Sequence, residues 1–278
     1  MVQKKRVSIV ACEGQHDIAF ITRILHVEGY KTNRNKISSF PNPFDFFKKI
    51  TASMIIADRK LGYQSPNFLL PSLALENDAG IIFLHNLNGG GRGNERKKLV
   101  TSYSELVGDD DFTKDLNYYF RFLFFFDADE GRVSQRLVNI TDEFNLSSQL
   151  ENGVVAPFLS HEIGCYVYHE NGSDTGVLED ILLGYFSKKE PNLLHNVSSF
   201  LSDNELDIER TKELHIIDGT ESRNGNSKSY LKKSKVNLFG QLQFSGMSNS
   251  VIISKSDFLR KSDIEICPQC ILIKDMFN

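Results

Sequence analysis

The chain has 278 residues, of which 40 % are apolar and 24 % charged, a balance that excludes a disordered or fibrous polymer and allows one large globular domain with an appendage. A formal charge of −4 excludes a global basic field, so any contact with a polyanion has to come from a local patch. Four cysteines make no disulfide framework, no apolar run reaches membrane-spanning length, and the opening MVQKKRVSIV is too short an apolar stretch for a signal peptide. The expected compartment is the cytoplasm, with no membrane partner.

In chain order, Arg6–Ala11 reads as a short buried strand. Ile18, Phe20, Ile21, Ile24 and Leu25 follow at helical spacing, and Gly29 ends that helix. Ile37–Phe40 reads as a second strand cut by Pro41 and Pro43, and Phe44–Ala57 as a helix with Phe44, Phe47, Ile50 and Met54 on one face. Asp58–Asn77 reads as an irregular insertion. Ala79–Leu84 is an apolar strand, followed by a glycine-rich loop from His85 to Asn94 and a polar helix from Glu95 to Leu106. Arg121–Phe126 is continuously apolar after its first residue, as expected of a strand covered on both faces. Val133, Leu137, Ile140 and Phe144 mark another helix, Cys165–Tyr168 a later strand, and Gly176–Leu183 the opening of a further helix.

Strand, loop and helix thus repeat. The pattern predicts an α/β fold: a mostly parallel sheet with helices on both faces, spanning residues 1–187 with an insertion near 58–77. Residues 188–278 read as a small helical and irregular C-terminal appendage. In it, Leu193–Phe200 and Asn204–His215 suggest short helices, Gly219–Lys235 a polar basic loop, and Ser254–Leu259 the start of a final helix.

Two acidic groups stand where apolar runs stop: Glu13-Gly14 after Val7–Val10, and Asp127-Ala128-Asp129-Glu130 after Phe122–Phe126. Ligands of open α/β sheets sit at the carboxyl ends of strands. Carboxylates gathered there repel one another unless a divalent cation joins them. Asp127 and Asp129, two residues apart at a strand end, are expected to share a face, and Asp17 lies one helical turn beyond Glu13. The hard oxygen donors suit Mg²⁺ or Mn²⁺. Taken singly, each acid also fits the N-terminal cap of the next helix.

The run from Val10 to Phe20, centred on Glu13-Gly14, resembles the first motif of Toprim domains, and Phe124–Gly131, with Asp127-Ala128-Asp129, resembles their DxD motif. Within that superfamily the chain is most similar to compact bacterial proteins related to the OLD nucleases. Those carry a Gly-Leu-Glu-Asp segment matched by Gly176, Leu178, Glu179 and Asp180. The resemblance covers residues 5–185. It implies Glu13 as acid/base or metal ligand, Asp127 and Asp129 as metal ligands, Glu179 and Asp180 completing a second metal position, and a role in defence against foreign genetic elements. No topoisomerase-like tyrosine context, primase zinc module or P-loop accompanies it.

For a phosphate, the loop offers Gly89, Gly90, Gly91 and Arg92. Lys228, Lys232, Lys233 and Lys235, with Arg223 and Tyr230, form the dense basic stretch that would hold a DNA or RNA backbone. Cys267-Pro268-Gln269-Cys270 has CxxC spacing without a second pair, so structural thiols are expected. The expected function is metal-dependent phosphodiester hydrolysis on nucleic acid. The alternatives are a catalytically silent module docking a partner ATPase or a nucleotide, and a phosphotransfer enzyme phosphorylated on Asp127, which lacks the expected lysine and threonine motifs. Homo-oligomerisation is compatible with each.

Overall fold

The strand-forming runs line up around the most apolar of them. In chain order the first elements are β1 (Lys5–Cys12), α1 (Gln15–Val27), β2 (Lys31–Thr32), α2 (Phe46–Ala52), β3 (Leu73–Asn77) and β4 (Gly80–Asn86). Then come α3 (Gly93–Ser104), β5 (Tyr118–Asp127), α4 (Val133–Glu143), β6 (Val155–Phe158) and β7 (His161–Tyr168). The chain continues through α5 (Leu178–Lys189), α6 (Pro191–Asp203), β8 (Glu213–Ile217), β9 (Thr220–Asn224), α7 (Leu231–Gln241), α8 (Asn249–Lys255), α9 (Lys261–Ile266) and α10 (Pro268–Asp275). This is a computed structural model that describes residues 5–53, 67–107, 118–129, 131–225 and 231–278. It forms two compact units, Met1–Leu178 with Arg260–Asn278, and Glu179–Leu259.

In the first unit the described strands form one sheet in the order β2-β3-β4-β1-β5-β7-β6. The central four, β4, β1, β5 and β7, are parallel, while β2, β3 and β6 add antiparallel edges. The side-chain period of two sorts each strand between two cores. Val7, Ile9 and Ala11 of β1, Phe120, Phe122, Phe124 and Phe126 of β5, and Ile163, Cys165 and Val167 of β7 pack with Phe47, Leu99, Tyr103, Leu137 and Ile140 of α2, α3 and α4. On the opposite face Phe20 of α1 meets Tyr168 edge-on at 6.0 Å, and Phe277 stacks on Phe125 at 6.4 Å. The expected layering, helices on both faces of the sheet, is therefore present, but the sheet is mixed rather than mostly parallel, because the edge strands β2, β3 and β6 all pair antiparallel. The abundance of phenylalanine is a packing device: Phe44, Phe47, Phe83 and Tyr103 form a contiguous ring cluster with centroids 5.0–6.5 Å apart. Such pairs add about 0.5–1.5 kcal/mol each beyond their buried area.

Several elements differ from the sequence expectation. Ile37–Ser39 is a 3₁₀ turn rather than part of a strand, closed by the Ser39 N–H donating to the Lys36 carbonyl at 2.8 Å; the edge strand is Lys31–Thr32. Inside the expected irregular stretch, Leu73–Asn77 is β3. Its hairpin to β4 is set by Asn77, whose side-chain oxygen accepts the N–H groups of Ala79 (2.9 Å) and Gly80 (3.2 Å). Residues 58–66, and 54–57 of the expected second helix, lie outside the described residues.

The second unit is built on Phe186, Phe239 and Phe258, whose rings lie 4.2–4.8 Å apart. Here the expected Asn204–His215 helix is a 3₁₀ turn at Ile208–Thr211 followed by β8. The expected loop after Gly219 contains β9 and the start of α7. Asp218 and Gly219, at φ of +51° and +74°, supply the left-handed pair that a two-residue hairpin turn needs. The C-terminal helices α9 and α10 belong to the first unit, not to an appendage. Arg6 donates to the Phe277 and Asn278 carbonyls, and Arg121 donates to the Met276 carbonyl at 2.7 Å.

Candidate functional site

Because β4, β1, β5 and β7 are parallel neighbours, their carboxyl ends open on one edge of the sheet. β1 and β5 pair with Cys12 level with Phe125, so Glu13 leaves the sheet one residue short of the level of Asp127. Both side chains are half-buried. On the other flank of β1, the chain beyond β4 stays attached to it. The Leu87 N–H donates to the Cys12 carbonyl and the Gly89 N–H to the Glu13 carbonyl, each at 2.9 Å.

Glu13 lies directly against the glycine loop. A Cβ on Gly90 would stand 2.2 Å from Glu13 Oε1, so only glycine leaves the carboxylate where it is. Gly89, at φ +127°, requires glycine on backbone grounds. Among the described residues the Gly90 and Gly91 N–H groups have no hydrogen-bond partner within the chain. The loop's shape is held from below by Arg96. Its Nη1 donates to the Gly90 carbonyl at 2.8 Å, and its Nε and Nη2 grip the Glu143 carboxylate at 2.9 and 2.6 Å. The guanidinium lies 5.0 Å from the Phe126 ring centre. Arg92 is exposed and bonded to Glu95 at 3.1 Å.

Gly14 is extended, at φ −152°, and a Cβ there would meet Asp17 Oδ2 at an ordinary 3.7 Å. Neither its backbone nor its surroundings therefore require glycine there. Asp17 is a cap: its Oδ2 accepts the Gly14 N–H at 2.8 Å at the start of α1.

Asp127 ends β5, and its Oδ1 accepts the Leu178 N–H at 2.8 Å. Asp129 does not share its face. β5 stops at Asp127, Asp129 takes φ +52°, and it exchanges backbone hydrogen bonds with Gly176 at 2.9 and 3.2 Å. This reversal breaks the strand alternation and sends the exposed carboxylate to Arg136, at 3.1 Å. Glu130 is outside the described residues.

Glu179 and Asp180 are the first residues of the second unit. Glu179 is buried there, and Asp180 is paired with Lys232 at 2.6 Å, so two residues read separately as metal ligand and polyanion contact neutralise each other. Lys233 is exposed; Lys228 and Tyr230 lie outside the described residues. Among the described residues no three His, Cys, Asp or Glu side chains are grouped to hold a metal ion.

Sequence reasoning passed over Arg96 and Tyr168. Tyr168 is fully buried at the end of β7, and its hydroxyl has no hydrogen-bond partner among the described residues. Burial, then Asp17, Cys12, Tyr166 and Asp127, push its ionisation far up, so it stays a neutral phenol. Burial does the same to the Cys12 thiol, with Asp17 and Glu13 adding to it. Cys267 and Cys270 are buried, and the Cys270 N–H donates to Cys267 Sγ at 3.3 Å, which makes Cys267 the cap of α10.

Among the described residues no helix is long and apolar enough to cross a membrane. No family model and no curated protein matches the chain. Among solved structures, the chain is similar to a hypothetical protein of Pyrococcus horikoshii OT3, with a TM-score of 0.58 and 15 % identity over 98 % of this chain and 100 % of that one. At that identity the similarity is one of fold.

Proposed function

We propose that the carboxyl edge of the sheet is a Mg²⁺- or Mn²⁺-dependent phosphodiester-hydrolysing site acting on DNA or RNA. The observation that carries this reading is the adjacency of β1 and β5 in the parallel centre of the sheet, with Glu13 just past the end of β1 against the glycine loop and Asp127 at the end of β5. Mg²⁺ fits such a donor set: it takes one or two carboxylates and fills its remaining positions with water and phosphate oxygens, so a cage of protein ligands is not required. Glu13 and Asp127 are the residues that would hold it, with Asp129 recruited from its exposed pairing with Arg136. When bound, the ion supplies charge neutralisation at the phosphoryl oxygens and a more acidic water. The chain's own contribution is positional. The Gly90 and Gly91 N–H groups receive a phosphate oxygen, Arg92 adds a charge-assisted bond, Glu13 accepts a proton from an attacking water, and Arg96 keeps the loop in place. A role in defence against foreign genetic elements rests on the Toprim and OLD resemblance alone.

The test is cleavage of end-labelled single- and double-stranded DNA and RNA with Mg²⁺ or Mn²⁺, beside Mn²⁺ binding followed by its paramagnetic resonance. Glu13→Gln and Asp127→Asn are expected to lower cleavage by about 100-fold or more and to weaken Mn²⁺ binding. Absence of both cleavage and Mn²⁺ binding in the unaltered protein refutes the proposal. A second reading, a silent module that docks a partner ATPase or a nucleotide, is favoured by the Leu178 N–H on Asp127 and the Arg136 pair on Asp129. It predicts partner or nucleotide binding that both substitutions leave unchanged.

A further inference from the structure

In the second unit, every residue of the β8–β9 hairpin except His215 is exposed, with Leu214 at 48 %, Ile216 at 64 % and Ile217 at 65 %. A two-stranded ribbon with both faces in water is marginal, and an apolar edge without protection is a template for another strand. The ribbon fixes which atoms face outward. Ile217 and Thr220 flank the Asp218-Gly219 turn, so Ile217, His215 and Glu213 spend their backbone groups on β9. Leu214 and Ile216 then point theirs away from the hairpin.

β8 is complementary to itself. When two copies are laid antiparallel about a two-fold axis through His215, Leu214 stands opposite Ile216 of the second copy, and Ile216 opposite its Leu214. These are the residues with outward backbone groups, so four N–H···O bonds close together with two aliphatic cross-strand pairs. The same register sets Lys212, which also pairs with Glu209 at 2.6 Å, against Asp218 of the second copy at each end, an exposed charge match that favours this register without supplying much of its stability. The outer edge of β9 offers less. A two-fold axis through Ser222 pairs Glu221 with Arg223, but exposed ion pairs contribute little, and Arg223 already donates to the Arg210 carbonyl at 3.3 Å.

We propose that β8 is a self-association strand: two copies of this chain join edge to edge into a four-stranded antiparallel sheet β9-β8-β8-β9, with Leu214 and Ile216 of both copies at its centre. An isologous contact of this kind closes on itself and leaves no growing end. It does not depend on the reading of the carboxyl edge.

The test uses the full chain. Sedimentation across a dilution series is expected to show a dimer that dissociates on dilution, and Ile216→Lys is expected to give a monomer with an unchanged far-ultraviolet spectrum. His215→Cys places two thiols on the two-fold axis in a pair whose Cα atoms are about 4.5 Å apart, within disulfide range. All four native cysteines are buried, so oxidised glutathione is expected to link this variant into a covalent dimer. Ser222→Cys, on the axis of the rival register, is expected to remain unlinked. A chain that stays monomeric at every concentration overturns the proposal, whether or not the hairpin captures some other protein. So does a dimer that only Ser222→Cys links, or that neither cysteine links.

Discussion

Gly90 is the residue on which the position of Glu13 depends. The atom a new Cβ would strike is the tip of the Glu13 side chain, which can swing away, and no positive φ is recorded at Gly90. Gly90→Ala is therefore expected to leave the melting temperature nearly unchanged while lowering Mn²⁺ affinity and any cleavage together. A large loss of stability with intact Mn²⁺ binding would show that the loop does not set the carboxylate. His85 makes a different residue-scale prediction. It is wholly buried in β4, its Nδ1–H donating to the Phe68 carbonyl at 2.8 Å and its Nε2 accepting from the Tyr103 hydroxyl at 2.9 Å. Burial lowers its pKa from 6.5 to about 4. The unfolded chain thus takes up a proton that the folded one refuses, and the sign follows. This stability is complete above pH 6.5 and is lost as pH falls toward 4, up to about 3 kcal/mol. Urea titrations from pH 7 to 4 should show that slope, and His85→Leu should flatten it.

At the scale of elements, the glycine loop and α3 are one device. Arg96, in the first turn of α3, ties the loop carbonyl to the end of α4 through Glu143, and both partners are nearly buried. Arg96→Met leaves Glu143 charged without its partner and is expected to cost about 3–5 kcal/mol in chemical denaturation. Glu143→Gln, which keeps an acceptor for the guanidinium, is expected to cost less. The central strands were legible from their unbroken apolar runs, and so was the acidic punctuation that ends β1 and β5. The loop's clamp was not, because a lone arginine in a polar helix looks like any solvated charge until its partner, far along the chain, is known. The hairpins at Asn77–Gly80 and Asp218-Gly219 carried turn chemistry that was readable, but β3 and β8, at five residues each, are too short for their alternation to stand out from the irregular stretch and the helix expected around them. Asp129 was misplaced for a related reason: strand alternation ends where a residue adopts positive φ, and sequence spacing does not reveal that.

For the whole molecule, the chain leaves the first unit after Leu178 and returns to it at Arg260. The returning segment is fastened from the sheet. Arg121, buried in β5, divides its guanidinium between the Met276 carbonyl and Glu162, the latter at 2.6 Å. Glu162 is partly exposed, so the loss in Arg121→Met is set at about 2 kcal/mol, below the figure for a fully buried pair. Limited proteolysis should then release the α9–α10 segment before the rest of the unit is cut.

That return path bears on how the protein is born. During synthesis the face of the sheet carrying Phe125 and Tyr166 has to wait for residues beyond Arg260, which emerge only after the whole second unit has been made. Until then a nascent chain displays an aromatic surface in need of shelter. Ribosome-held chains truncated before Arg260 should bind a chaperone such as trigger factor more strongly than chains long enough to expose Phe277, even though the second unit is complete in both.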